Sequence, residues 1–172
     1  MDIKIRKADY ADLDRIMEIF EVAKKFMVST GNPNQWINGY PQRELIAGEI
    51  AEGRCYVCLK CGGNEKIVAT FCFIEGPDPT YSYIEDGEWP DDEPYYVIHR
   101  LASDESVHGI TKQCIEWCAK ISPCLRVDTH SDNKVTQHLL VKNGFTRCGI
   151  IYVANGTPRI AFYKKIDCNE KK

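Results

Sequence analysis

Apolar and polar positions alternate, then repeat at three and four, then alternate again along this chain, and each change of period marks an element. Ile3 and Ile5 alternate with Lys4 and Arg6, the pattern of a short first strand. In DYADLDRIMEIFEVAKKFM, Leu13, Ile16, Met17, Phe20, Ala23 and Met27 form one helical stripe. Asp9 is placed to cap that helix, Asp12 sits in its first turn, and Gly31 ends it. A polar connector, GNPNQWINGYP, carries a Trp36 expected to be exposed. A second helix runs from about Gln42 to Glu52 and stops at Gly53. Two β-prone runs, Cys55 to Lys60 and Lys66 to Ile74, flank the Gly62-Gly63-Asn64 turn and read as a hairpin.

A long loop follows, with eight acidic residues from Glu75 to Glu93 and no Lys or Arg. Then come a strand (YYVIHRLAS), a helix (ITKQCIEWCAKI), a strand (CLRVDTH) and a helix (DNKVTQHLLVKN) that ends at Gly144. FTRCGIIYV and RIAFYKKI are final strands around the Asn155-Gly156 turn. The order β-α-α-β-β-β-α-β-α-β-β combines antiparallel hairpins with one strand–helix–strand crossover, from Tyr95 to Asp128. This predicts an α/β (α+β) fold with a mixed sheet and helices on both faces. Residues 1–172 read as one domain, with 167–172 as a frayed tail.

Composition narrows the function classes. The 172 residues are 44% apolar and 27% charged, ordinary for a globular domain, and 22 basic against 25 acidic residues give a net charge of −3. There is no basic stripe for nucleic acid. The chain start lacks a signal-peptide apolar region, and no run approaches a membrane span, so the cytoplasm is the expected compartment. Nine cysteines are many. Cys55, Cys58 and Cys61 are spaced like metal ligands, but on a strand residues three apart point to opposite faces. No metal is expected there, though a metal-binding module stands as an alternative. The other cysteines fall at core-like positions.

The chemistry-bearing stretch is Ser106-Val107-His108-Gly109-Ile110-Thr111, between a strand and a helix. Unpaired amides and the dipole make a helix start a natural seat for phosphate, and Gly109 admits close backbone approach. A tight turn alone would also explain that glycine. With this loop, and with Asn133 followed by a helix and Asn143-Gly144-Phe145, the chain resembles the GNAT superfamily of acyl-CoA-dependent N-acyltransferases. The resemblance covers nearly the whole length. Ser106 stands where the family has Arg or Gln, and Thr111 where it has a small residue.

The resemblance implies a single splayed, mostly antiparallel sheet of about seven strands with about four helices, and acetyl-CoA as donor without a metal. It places the pyrophosphate on the amides of Val107, His108, Gly109, Ile110 and Thr111. It places the pantetheine arm along Leu101 and Ser103, with Asn133 on its other side. The Leu101 amide is the expected oxyanion donor. His99 on the fourth strand is the expected base, with a structural role as the alternative and His130 as a second candidate. Arg100 is expected on the opposite face, paired with a carboxylate. The family's Tyr acid is replaced by Leu140, which leaves Tyr152, Tyr163 or water for that role. His108 and His138 are expected to be exposed. A small-molecule amine is the expected acceptor, against walls supplied by Trp36 and by Tyr83 or Trp89 of the acidic loop; a merely solvated loop is the alternative. A non-catalytic acyl-CoA-binding domain of the same fold remains the second function reading, and a homodimer is left open.

Overall fold

The computed structural model describes residues 2–167; the proposed frayed tail lies almost entirely outside them. The elements are β1 (Ile3–Lys7), α1 (Leu13–Ser29), α2 (Arg43–Ala51), β2 (Cys55–Lys60), β3 (Lys66–Glu75), β4 (Tyr96–Ser103), α3 (Ile110–Ile121), β5 (Cys124–Thr129), α4 (Lys134–Lys142), β6 (Thr146–Tyr152) and β7 (Pro158–Lys165). They build one seven-stranded sheet in the order β1-β2-β3-β4-β5-β7-β6. Every neighbouring pair is antiparallel except β4 and β5. No helix among the described residues is long and apolar enough to cross a membrane.

Three apolar clusters follow from the two-residue period. Tyr96 and Ile98 of β4 face α3 and α4, where Ile110, Cys114, Ile115 and Leu140 complete the larger core. Leu13, Ile16, Phe20 and Ala23 of α1 pack with α2 on the opposite face, over β2 and β3. The remainder of that face, over β5, β6 and β7, carries no α-helix among the described residues. The acidic loop covers it, burying Tyr81 and Tyr95 against Val97, Ile151 and Tyr163. Cys55 and Cys58 point into opposite clusters, as the strand period requires.

Two irregularities shape β4. It pairs with β5 only at Tyr96↔Leu125 and Val97↔Arg126, and beyond these the strands part. A β-bulge also falls between the pairs Cys72↔His99 and Thr70↔Ala102, so Phe71 alone opposes Arg100 and Leu101. Arg100 takes the left-handed conformation there, with φ 55°.

Candidate active site

A groove of about 380 Å³ lies on the α3/α4 side of the splay, walled by the C-terminal half of α1. Leu101 and Ser103 line it from β4, Val107, His108, Gly109, Ile110 and Thr111 from the loop and the start of α3, and Asn133 from the start of α4. Gly109 is the N-cap of α3, at φ 76°. A Cβ there would meet no protein atom within 4 Å, so the space in front of the turn is open. The first turn of α3 carries no acidic side chain, and Lys112 and Lys142 line the same groove. Free amides, the helix dipole and two ammonium groups together make an anion seat. The Ser106 amide is not part of it, because it bonds to Asp104 Oδ1 at 3.0 Å.

The backbone of β4 presents a second donor array. The Asp104 amide bonds the Val68 carbonyl of β3 at 2.9 Å. Alternation along the strand then turns the Ser103 and Leu101 amides to the other edge, into the gap left by β5. An extended ligand can pair with that edge as an added strand. These groups fit a CoA thioester: an anion seat at one end, and a strand edge leading to the splay.

Beyond the splay lies a larger chamber of about 700 Å³, which shares Leu101, Thr111 and Asn133 with the groove. His99 lines it. Its Nε2 lies 3.0 Å from Asp78 Oδ2, which leaves Nδ1 as the ring's second site. Burial pushes the Asp78 carboxyl up, but hydrogen bonds from His99 and from the Thr80 hydroxyl and amide outweigh it, and it falls to about 2. A carboxylate fixed in its charged form therefore orients the imidazole. Asp78 is invisible as a partner in the sequence, because only the fold of the loop brings it back over His99. The one local signal is its place before Pro79, as N-cap of a short 3-10 turn.

Arg100 differs from expectation. It lines the same chamber as His99, and its Nε donates to Tyr40 Oη at 2.7 Å rather than to a carboxylate. The bulge breaks the alternation that would have sent it to the other face. Tyr40 is the one tyrosine lining the chamber among the described residues. Burial raises its pKa against the opposing pull of Arg100, so the phenol keeps its proton near neutrality. Leu140, at the position of the family's acid, is buried and also lines the chamber.

The connector between α1 and α2 forms the outer wall. Gln35 Oε1 accepts from Asn32 Nδ2 (2.9 Å), Asn133 Nδ2 (2.8 Å) and Thr129 Oγ1 (3.3 Å), which pins the connector to the β5–α4 corner. Asn133 Oδ1 meanwhile caps α4 through the Thr136 amide. Trp36 lines the chamber and is half-buried, packed edge-on against Phe20. The α1 stripe supplies that aromatic neighbour, so the ring is not the exposed one the polar connector implied.

Five other candidates lie elsewhere. Tyr83 is 62% exposed and bonds Glu85. Tyr152, on the edge strand β6, bonds the same carboxylate. Trp89 donates to the Tyr81 carbonyl at 2.9 Å, and its ring and that of Tyr95 hold the Arg126 guanidinium at 4.1 and 3.9 Å. The cation expected against this aromatic wall is the protein's own. His130 Nδ1 accepts the Asp132 amide at 3.0 Å in the β5–α4 turn; burial, then Arg159, holds its pKa down. Tyr163 is buried against Asp91. Four of the loop's eight carboxylates thus serve internal bonds: Asp78 to His99, Glu85 to Tyr83 and Tyr152, and Asp91 and Glu93 to Lys165. His108 and His138 are exposed.

No protein-family model matches the sequence, and no curated protein does. Solved structures do. An acetyltransferase of the GNAT family from Streptococcus agalactiae superposes with a TM-score of 0.86 at 29% identity, over 96% of either chain. A GNAT-family acetyltransferase from Listeria monocytogenes matches at 0.71 and 19% identity, over 95% of each chain. A chain of the NatC complex bound to Gag peptide and CoA matches at 0.55 and 17%, over 97% of this chain and all of that one, a likeness of fold alone. From the first strand to the last, through the splay of β4 from β5 and the glycine turn that opens α3, the chain has the fold of the GNAT superfamily of acetyltransferases.

Proposed function

We propose that the protein transfers an acyl group, acetyl first, from its CoA thioester directly to the primary amine of a small molecule in the cytoplasm. The observation that carries this reading is the joining of two cavities at the splay, with donor-type amides on one side and the His99–Asp78 pair on the other. The amine must be neutral to attack. His99 takes a proton from it, and Asp78 stabilises the resulting imidazolium. As the C–N bond forms, the carbonyl oxygen gains charge, and the Leu101 amide in the gap is the donor aimed at it. The C–S bond then breaks. A thiol's ordinary pKa of about 8.5 makes its thiolate a tolerable leaving group. Leu140 has no proton to give; the Tyr40 phenol, whose oxygen accepts from Arg100, keeps its O–H to donate. Products are the amide and free CoA.

Release of free thiol from acetyl-CoA, measured across small amines and across peptides with free N-termini, tests the reading. Turnover of small amines above peptides is expected. Replacing His99 by Ala should lower kcat/KM by about 10²–10⁴-fold, the usual worth of acid–base catalysis. A His99→Ala protein with native turnover would remove His99 from the mechanism.

A further inference from the structure

The chamber holds charges of both signs, and its positive ones lack carboxylate partners. Arg159, on β7, lines it and is buried. No carboxylate among the described residues lies within 4 Å of its guanidinium, or of that of Arg100. Buried charge is ordinarily paired. Arg159 is instead held by neutral groups. Its Nη1 donates to Thr157 Oγ1 (3.0 Å) and the Pro158 carbonyl (2.9 Å), and its Nη2 to the Gln35 carbonyl (3.3 Å). A guanidinium has five N–H groups in a planar fork. Three are used here, which leaves Nε–H and the second Nη2–H, the side-on edge that matches a carboxylate. Burial lowers the Arg159 pKa, with Asp128 opposing, as expected of a cation whose countercharge is incomplete. Arg100 spends Nε on Tyr40 and has the Cys72 thiol beside its guanidinium, and its Nη1 is buried with no hydrogen-bond partner among the described residues.

The negative groups are arranged differently. Asp128 lines the chamber from β5. Its Oδ2 accepts from Tyr81 Oη at 2.7 Å, and its other oxygen takes no bond from the described residues. Asp78 sits behind His99. A ligand with one charge of either sign would satisfy half of this site.

We propose that the acceptor is a zwitterion of the amino-acid type, with its carboxylate held by Arg159 and Arg100 and its amine directed to His99 and Asp128. This rests on the transferase reading above and deepens it. The chamber is within the usual range for a small-molecule site, about 300–1,000 Å³. The carboxylate supplies the missing countercharge and fixes which end of the molecule meets the thioester. Arg159 and Arg100 are then binding residues, not catalytic ones.

The test uses matched pairs: an amino acid, the same amine without its carboxylate, and an aminoalkyl phosphate. Each is acetylated at saturating acetyl-CoA, with thiol release and product mass as readouts. The amino acid should exceed the bare amine in kcat/KM by at least about tenfold, the loss expected when a buried cation has no partner. The Arg159→Gln variant should raise KM for the amino acid about 10–100-fold and change kcat far less, with Arg159→Lys intermediate. Unaltered CoA affinity and melting temperature would establish that the variant is folded. Bare amines acetylated as well as amino acids would overturn the zwitterion while leaving the transferase standing. Preference for the phosphate would overturn the carboxylate. If no amine is turned over, the transferase reading fails, and binding decides the rest. Calorimetry with an N-acetyl amino acid should then detect binding that Arg159→Gln loses; equal affinity in both proteins, or none in either, would overturn the proposal.

Discussion

His99 and Asp78 form one unit, and the protein's acid response should reveal it. Asp78 is held near 2, below a free carboxyl's roughly 3.9, so its bonds stabilise the folded state while it is charged. A depressed folded pKa contributes stability that is present above the unfolded value and disappears as pH falls through the folded one. The window is therefore about pH 4 down to 2, and the contribution is on the order of 2 kcal/mol. Asp78→Asn should cost an amount of that order at pH 7 and little at pH 2, measured by denaturant unfolding at both. An equal cost at both would mean that packing, not charge, is what the carboxylate supplies. The resemblance to the GNAT superfamily, carried along the two-residue period of β4, points to His99, and His99 lines the chamber. Asp78 was not legible in the sequence, since its partner lies 21 residues away across a loop with no period. Trp89 was misread for a related reason: an aromatic ring signals affinity for a cation, but nothing local says that Arg126 of β5 already fills the place.

The elements that build the site are two interrupted ones, β4 and the turn into α3. The bulge at Arg100 resets the alternation of β4, so that Leu101 packs toward α3 while Arg100 stays with His99. Glycine usually flags a left-handed bulge residue, and an arginine there leaves no mark in the sequence. The α3 turn was readable, because Gly109 stands alone between a strand pattern and a helix pattern. Its φ of 76° sets the expected effect of a side chain. In Gly109→Ala the added methyl meets nothing in the protein, so the stability loss should be backbone strain alone, about 1–2 kcal/mol. The methyl would stand before the amides of the anion seat, so CoA affinity should also fall, by roughly tenfold or about 1.4 kcal/mol. Thermal unfolding and CoA calorimetry on the same variant separate the two effects. Loss of stability with native CoA affinity would move the phosphate seat away from this turn.

At the scale of the whole molecule, the sheet is divided by its own splay. β1 to β4 pack with α1 and α2 on one face, β5 to β7 pack under the acidic loop on that face, and β4 and β5 share only two residue pairs. The connector through Gln35, the acidic loop through the cluster that joins Val97 of β4 to Ile151 and Tyr163, and α3 and α4 on the other face hold the halves together. The donor groove is walled by α1, β4, α3 and α4 at once, so a ligand seated there replaces the ladder that the splay omits and ties elements that otherwise touch weakly. Mass action then makes stability a reporter of occupancy. At 100 times its Kd a ligand adds about 2.7 kcal/mol, which for a chain of this size is a rise in Tm of roughly 5–11 °C. Acetyl-CoA should produce that rise. A thioester carrying only the pantetheine arm should produce less at the same concentration, because it pairs with the β4 edge but leaves the α3 amides unfilled. The difference between them should shrink in Gly109→Ala, where the seat itself is impaired. Equal shifts from both ligands in the native protein would assign all of the affinity to the strand edge and none to the helix start.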